Sequence, residues 1–333
     1  MLIGSFKTYT SAALIKIPLF AIFLWAFCPI YRHLALPAGD PTGMPLYRTL
    51  ADFSANYYFF STFISLLINV LCAFLLNFIV NHHNLLSKKT YLPALFYLCY
   101  SAACGELLFL SAASFANLLL IAASHQLFNT YRKESAMTEV FNAGMLIGLS
   151  ALLYFPALIL FLFVWITLII LRPFIWQEYA VSLLGFLLPL TYFVVYYFWI
   201  NKLGPVWYST LHNHLAVKHY LFHTSKAYIW LYLVFGTIIL ASLFRLLSST
   251  IVLPLKSKKG LSLLFWCLLL SAASMTVNPD IGMSALKMTA IPLAVFTANF
   301  FIQIRKDWIS EMLFTLMLLS ILFVHLSGYA GKS

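Results

Sequence analysis

Apolar runs long enough to cross a lipid bilayer follow one another from end to end of this chain. Spanning the hydrocarbon takes roughly 20 consecutive apolar residues. Eleven apolar segments can be read, near residues 14–33, 57–80, 91–105, 108–129, 140–154, 156–171, 178–200, 227–247, 261–277, 285–303 and 308–327. Lipid offers backbone groups no hydrogen bonds, so such segments must satisfy their own. The expected fold is therefore all-α: a polytopic integral membrane bundle of about 11 transmembrane segments, with residues 1–333 forming a single transmembrane domain. The segments at 91–105, 140–154 and 156–171 are short, as expected for tilted or paired half-helices.

Composition closes off other classes. With 63% apolar and 9% charged residues, the chain cannot build a water-facing surface. Its net charge of +11 comes from residues scattered between spans, which points to lipid headgroups and excludes a nucleic-acid partner. Cys28, Cys72, Cys99, Cys104 and Cys267 lie in or beside apolar runs without zinc or disulfide spacing, and read as packing residues. Lys7 and Lys16 precede an apolar run followed by Tyr31-Arg32-His33 in place of a small-residue cleavage site, so an uncleaved first span is expected.

Lys and Arg bias sets the orientation. With the N-terminus inside, 13 of the 20 basic residues fall on the inner side, so the chain is expected to be N-in and C-out in a bacterial inner (cytoplasmic) membrane. Lys287 is among those assigned to the outer side. Two outer loops exceed simple turns, at 31–56 and 201–228. The second opens with Gly204-Pro205, as an interfacial helix with proline in its first turn would.

Only nine residues are acidic, and the position of each matters. Asp40 lies in the rigid Ala38-Gly39-Asp40-Pro41 stretch, where it serves either as a base or metal ligand over a membrane-level cavity, or as a simple Asp-Pro turn. Asp52 approaches the second span, as a catalytic carboxylate or as a solvated residue near a helix N-terminus. Glu106 follows Cys104-Gly105 at a tight outer turn, either as a functional carboxylate beside hydrocarbon or as a headgroup-level residue that caps the next helix. His212, His214, Lys218, His219 and His223 make a positive outer patch suited to lipid phosphate, to a metal ion or to pH sensing, or else an interfacial helix facing anionic headgroups.

Other positions have structural readings. His82-His83 with Lys88-Lys89 reads as an inner anchor, Gly144 and Gly148 as a helix-packing face, and Arg172 as the partner of Glu178. His125 and Asn142 read as interhelical hydrogen-bonding residues.

Two blocks carry a resemblance. The first is His82-His83-Asn84-Leu85-Leu86 through Thr90-Tyr91-Leu92-Pro93-Ala94-Leu95-Phe96-Tyr97. The second runs from Phe141-Asn142-Ala143-Gly144 through Tyr154-Phe155-Pro156-Ala157 to Arg172-Pro173-Phe174-Ile175-Trp176-Gln177-Glu178. They resemble an uncharacterised family of multi-spanning inner-membrane proteins typical of Bacteroidota, which implies a fold and no catalytic residues.

At the level of pattern, the chain is also similar to the C-type glycosyltransferases that use polyprenyl-phosphate sugars. The shared features are an acid in the first outer loop, another in the second, and a basic inner loop at Arg132-Lys133 followed by Gly144, Gly148 and Pro156. That likeness implies Asp40 or Asp52 as base, Glu106 as supporting acid or ligand of a divalent cation, and the second outer loop as a holder of polyprenyl phosphate. The first outer loop is short for that family, and its usual diacidic pairs are missing. The expected function is thus glycosyltransferase-like, in envelope glycan or lipid metabolism at the outer face. The rival is a non-catalytic scaffold or assembly factor of an envelope complex, with a transporter behind both.

Overall fold

The computed structural model describes residues 3–9, 11–27, 44, 46–47, 58–208, 219–220, 226–249, 254–275, 280–281 and 283–330. Its helices are α1 (Gly4–Lys7), α2 (Ser11–Trp25), α3 (Tyr58–His82), α4 (Leu92–Ser101), α5 (Ala112–Asn129) and α6 (Met137–Leu153). They continue as α7 (Phe161–Leu171), α8 (Trp176–Trp199), α9 (Lys226–Ser249), α10 (Leu255–Ser274), α11 (Ala290–Gln303) and α12 (Asp307–Ala330). A two-residue parallel pairing of β1 (His219–Tyr220) with β2 (Asp280–Ile281) is the strand content among the described residues.

Among the described residues five helices are long and apolar enough to cross a membrane: Phe59–His82, Trp176–Trp199, Ala227–Leu246, Leu286–Gln303 and Asp307–Ser327. Shorter apolar helices occupy Ala13–Trp25, Leu92–Ser101, Met137–Leu153 and Phe155–Leu171. The last begins as a 3-10 turn at Phe155–Leu160, with Pro156 in its first turn. Thus the three segments that read as short are short.

Helix ends follow local chemistry. Asn84 and Asn201 close α3 and α8 in the left-handed region (φ 51° and 53°), which asparagine tolerates. Leu85 N–H then donates to Val80 O at 3.0 Å and Lys202 N–H to Tyr197 O at 3.0 Å, satisfying terminal carbonyls. Pro93 stands in the first turn of α4, where its missing N–H costs nothing.

At the centre lies α4, with all ten of its residues buried, packed between α3 and α11. α5 packs on α3 and α6; α9 packs on α11 and α12. The tightest helix pair is α6 with α8. A Cβ on Gly144 would lie 2.3 Å from Ser182 O, one on Gly148 2.4 Å from Phe186 O, and one on Gly185 2.3 Å from Phe141 O. The Gly144/Gly148 face is therefore a backbone-to-backbone contact, reciprocated by Gly185.

Many residues read as inner-side gather at one end of the bundle. Lys7 pairs with Asp307 at 2.9 Å, and Tyr91 N–H donates to Phe6 O at 3.0 Å. Ser257 Oγ donates to Asn84 O at 2.8 Å, and Arg172 reaches the Thr130–Glu134 turn. We call this the basic end. Cys72, Cys99, Cys104 and Cys267 are buried free thiols, as their apolar settings indicated; Cys28 lies outside the described residues.

Candidate functional site

The chain leaves regular helix inside the bundle between Ala102 and Leu110. α4 starts at the basic end and rises only ~15 Å at 1.5 Å per residue, about half of a hydrocarbon core of roughly 30 Å. There it gives way to a turn, a 3-10 helix at Gly105–Leu108 and an extended stretch before α5. Irregular backbone at this depth requires protein partners for its polar groups.

Four side chains from distant parts of the chain supply them. His325 Nε2, carrying the proton, donates to Ala102 O at 3.0 Å. Trp25 Nε1 donates to Leu108 O at 3.0 Å, Lys287 Nζ to Phe109 O at 3.1 Å, and Tyr47 Oη to Leu110 O at 3.1 Å. All four donors are buried. Three successive carbonyls thus answer to three different elements, and the segment that carries Glu106 is held from all sides.

Lys287 departs from its expected place on the outer surface. It is 1% exposed, and Nζ also donates to Ser111 Oγ at 3.2 Å and Ser114 Oγ at 2.7 Å. Three oxygens match the three N–H donors of an ammonium. Its own carbonyl accepts from Asn117 Nδ2 at 2.7 Å, so the turn at Met283–Thr289 is fastened to α5 at two points. That turn also packs against the 3-10 helix of Glu106. An intramembrane lysine is costly, and hydropathy assigns it to water for that reason; only the tertiary cage makes it tolerable.

A second feature adjoins this one. An apolar groove of about 570 Å³ runs between α6 and α8, lined by Met145, Leu149, Leu152 and Leu188, with Tyr192 and Tyr196 further along α8. Its size falls within the roughly 300–1,000 Å³ of ordinary ligand sites. Leu46 from the 31–56 segment also lines it, and the next residue is Tyr47, whose hydroxyl holds Leu110. Met44 N–H donates to Leu153 O at 3.3 Å, tying the same short segment to the end of α6.

The expected site residues are placed as follows. Glu106 is in the 3-10 helix just described; its side chain lies outside the described atoms. Asp40, Asp52, His212, His214, Lys218 and His223 lie outside the described residues. The backbone of His219 forms the strand pairing with Asp280. Residues Leu203–Tyr208 are helical in part as read, with Pro205 in their first turn. Among the described residues no group of three or more His, Cys, Asp or Glu is arranged to hold a metal ion.

At the basic end, His82 is exposed as an anchor residue should be, whereas His83 is 3% exposed. His83 Nε2 lies 3.4 Å from His125 Nδ1, and Phe128 packs on its ring. Burial, helped by the nearby His82, Lys256 and His125, pushes the His83 imidazole down to about 3, so it is neutral at ordinary pH. His83 is therefore a buried packing residue, where an anchor at the headgroups was expected.

Sequence reading misses Trp25, Tyr47, Lys287 and His325 as a group. Each looks like an ordinary interfacial aromatic or basic residue, and what unites them is their shared target at 102–110. Comparison of the chain with protein-family models, curated proteins and solved structures returns no match.

Proposed function

We propose that this protein is a glycosyltransferase-like enzyme of envelope glycan or lipid metabolism that works on a lipid-linked substrate at the outer face of a bacterial inner membrane. One observation carries the reading. The Leu46–Tyr47 segment lines an apolar groove with one residue and holds the Glu106-bearing stretch with the next. A substrate whose hydrocarbon tail lay in that groove would have its head beside the backbone that bears Glu106. Tyr47 is seven residues after Asp40 and five before Asp52. Asp40 and Asp52 thus flank in sequence the segment that makes this junction.

In this reading Asp40 or Asp52 acts as general base, Glu106 supports it or binds a divalent cation, and His212, His214, Lys218, His219 and His223 hold the lipid phosphate. The test is transfer of labelled sugar from a polyprenyl-phosphate donor in proteoliposomes. Asp40→Asn, Asp52→Asn and Glu106→Gln are compared with the parent at equal protein level. Loss of a general base costs at least about 100-fold. Full transfer in all three variants overturns the assignment.

A second reading, a scaffold or assembly factor, draws on α8. Its C-terminal half exposes Tyr192, Tyr196 and Trp199, the last 85% exposed, an aromatic face that a partner helix would cover. Charged substitutions on that face that leave sugar transfer intact but dissolve a co-purifying complex would favour it.

A further inference from the structure

We propose that the basic end of the bundle binds the headgroup of an anionic phospholipid from the adjoining leaflet, in a cradle made by Arg132, Lys256 and Lys259 beside Tyr131. The site is independent of the proposed transferase centre, which lies toward the opposite end.

The cradle is assembled from two elements that tight packing forces together. A Cβ on Gly260 would fall 2.4 Å from Leu85 Cδ2 and 3.7 Å from Phe128, so α10 lies directly on the turn after α3 and on the end of α5. The Ser257 bond to Asn84 O fixes its rotation. This brings the half-exposed Lys259 to 5.9 Å from the Tyr131 ring, which Arg132 approaches at 5.4 Å. Lys256, one turn earlier on the same helix, adds its charge beside His83.

The chain also holds Arg132 outward at a conformational cost. Its φ of 59° lies in the left-handed region, which non-glycine residues rarely adopt. The flanking carbonyls of Thr130 and Lys133 both accept from Arg172 Nη1, at 3.0 and 2.7 Å, so a buried arginine clamps the turn that presents an exposed one.

The local charge is unbalanced. Glu139 pairs with Lys133, Glu178 with Arg172 and Asp307 with Lys7, which leaves the exposed Glu134 as the acid of this turn against Arg132, Lys256 and Lys259. A phosphate diester supplies the missing negative charge, and an aromatic ring at headgroup level suits the glycerol region. An anionic lipid is favoured over a soluble anion because exposed apolar side chains stand at the same end, Leu255 beside Lys256 and Met137 on the helix after Arg132, and offer its acyl chains a surface.

The test uses the full chain purified in detergent. Binding of phosphatidylglycerol and of phosphatidylcholine is followed by native mass spectrometry and by the shift in melting temperature. The parent should bind phosphatidylglycerol selectively, and the R132Q/K259Q double variant should lose roughly 30-fold in affinity, at about 1 kcal/mol per basic residue. K88Q/K89Q removes the same charge from exposed lysines at the same end and should bind like the parent. Equal losses in the two double variants would reduce the site to diffuse attraction and overturn it. So would equal binding of phosphatidylcholine, or an equal melting shift with inorganic phosphate alone.

Discussion

Arg172 and Glu178 form a two-pronged ion pair in the interior of the basic end. Nε donates to Oε2 at 2.8 Å, Nη2 lies 2.7 Å from Oε1, and both side chains are almost wholly buried. The remaining donors reach Thr130 O, Lys133 O and Glu134 O, so all five guanidinium N–H groups have acceptors. One side chain thereby joins the α5–α6 turn to the α7–α8 junction. Glu178→Ala, which strands a buried cation, should cost about 3–5 kcal/mol and show as a large fall in melting temperature. Arg172→Lys should rescue little, because an ammonium cannot serve both carboxylate oxygens and three carbonyls. A parent-like melt for either variant would contradict this.

Lys287 predicts a second stability effect. Lys287→Met keeps the length of the side chain but withdraws donors from Phe109 O, Ser111 and Ser114. Buried acceptors left without partners cost about 1–3 kcal/mol. Limited proteolysis should show the 102–110 segment opening before the rest of the bundle unfolds.

Glycine substitutions separate packing from propensity. Gly148→Ala would place a methyl 2.4 Å from Phe186 O and 2.7 Å from Pro189 Cγ, and should destabilise by about 1–3 kcal/mol. Gly236, in the middle of α9, has open space for at least 4 Å around the point where a methyl would stand. Gly236→Ala should be neutral or stabilising by up to about 1 kcal/mol. Thermal melts of the two variants should move in opposite directions.

The neutral His83 gives a pH dependence. Its folded value of about 3 lies below the ordinary 6.5, so the unfolded chain binds the extra proton more readily. Its contribution is complete above about pH 6.5 and declines as pH falls toward 3. His82, His125 and Lys256 face it, and each adds positive charge that opposes protonation. His83→Phe should flatten the acid limb of a stability–pH profile; an unchanged limb would assign that limb to other groups.

If the α6–α8 groove receives the substrate tail, filling it should weaken lipid binding alone. Leu149→Trp projects bulk into the groove from a partly exposed position. The expected result is a KM for lipid donor raised about 10-fold or more with kcat little changed, measured at constant vesicle composition. A matched fall in kcat with constant KM would argue against a tail site there.

Some of this is legible residue by residue. The six-residue spacing of Arg172 and Glu178 around Pro173 reads directly as an ion pair, and Gly144-x-x-x-Gly148 as a packing face. Both depend on local geometry, which sequence encodes. Lys287 and His83 defeat such a reading because hydropathy counts a charge or an imidazole as water-seeking wherever it occurs. The acids Asp40, Asp52 and Glu106 are legible as candidates; their mutual arrangement depends on loops that no local periodicity describes.

Sequence by itself determined that the chain is a bundle of apolar helices, which segments are too short to span, and which end carries the positive charge. Apolar length and Lys/Arg distribution act through the solvent, and need no knowledge of partners. Only the tertiary structure decided that Trp25, Tyr47, Lys287 and His325 converge on the backbone of 102–110. Lys287 is 173 residues from Ser114 and Tyr47 is 63 from Leu110. In a medium without water, irregular backbone persists only where such distant side chains complete its hydrogen bonds, and that completion is a property of the assembled bundle.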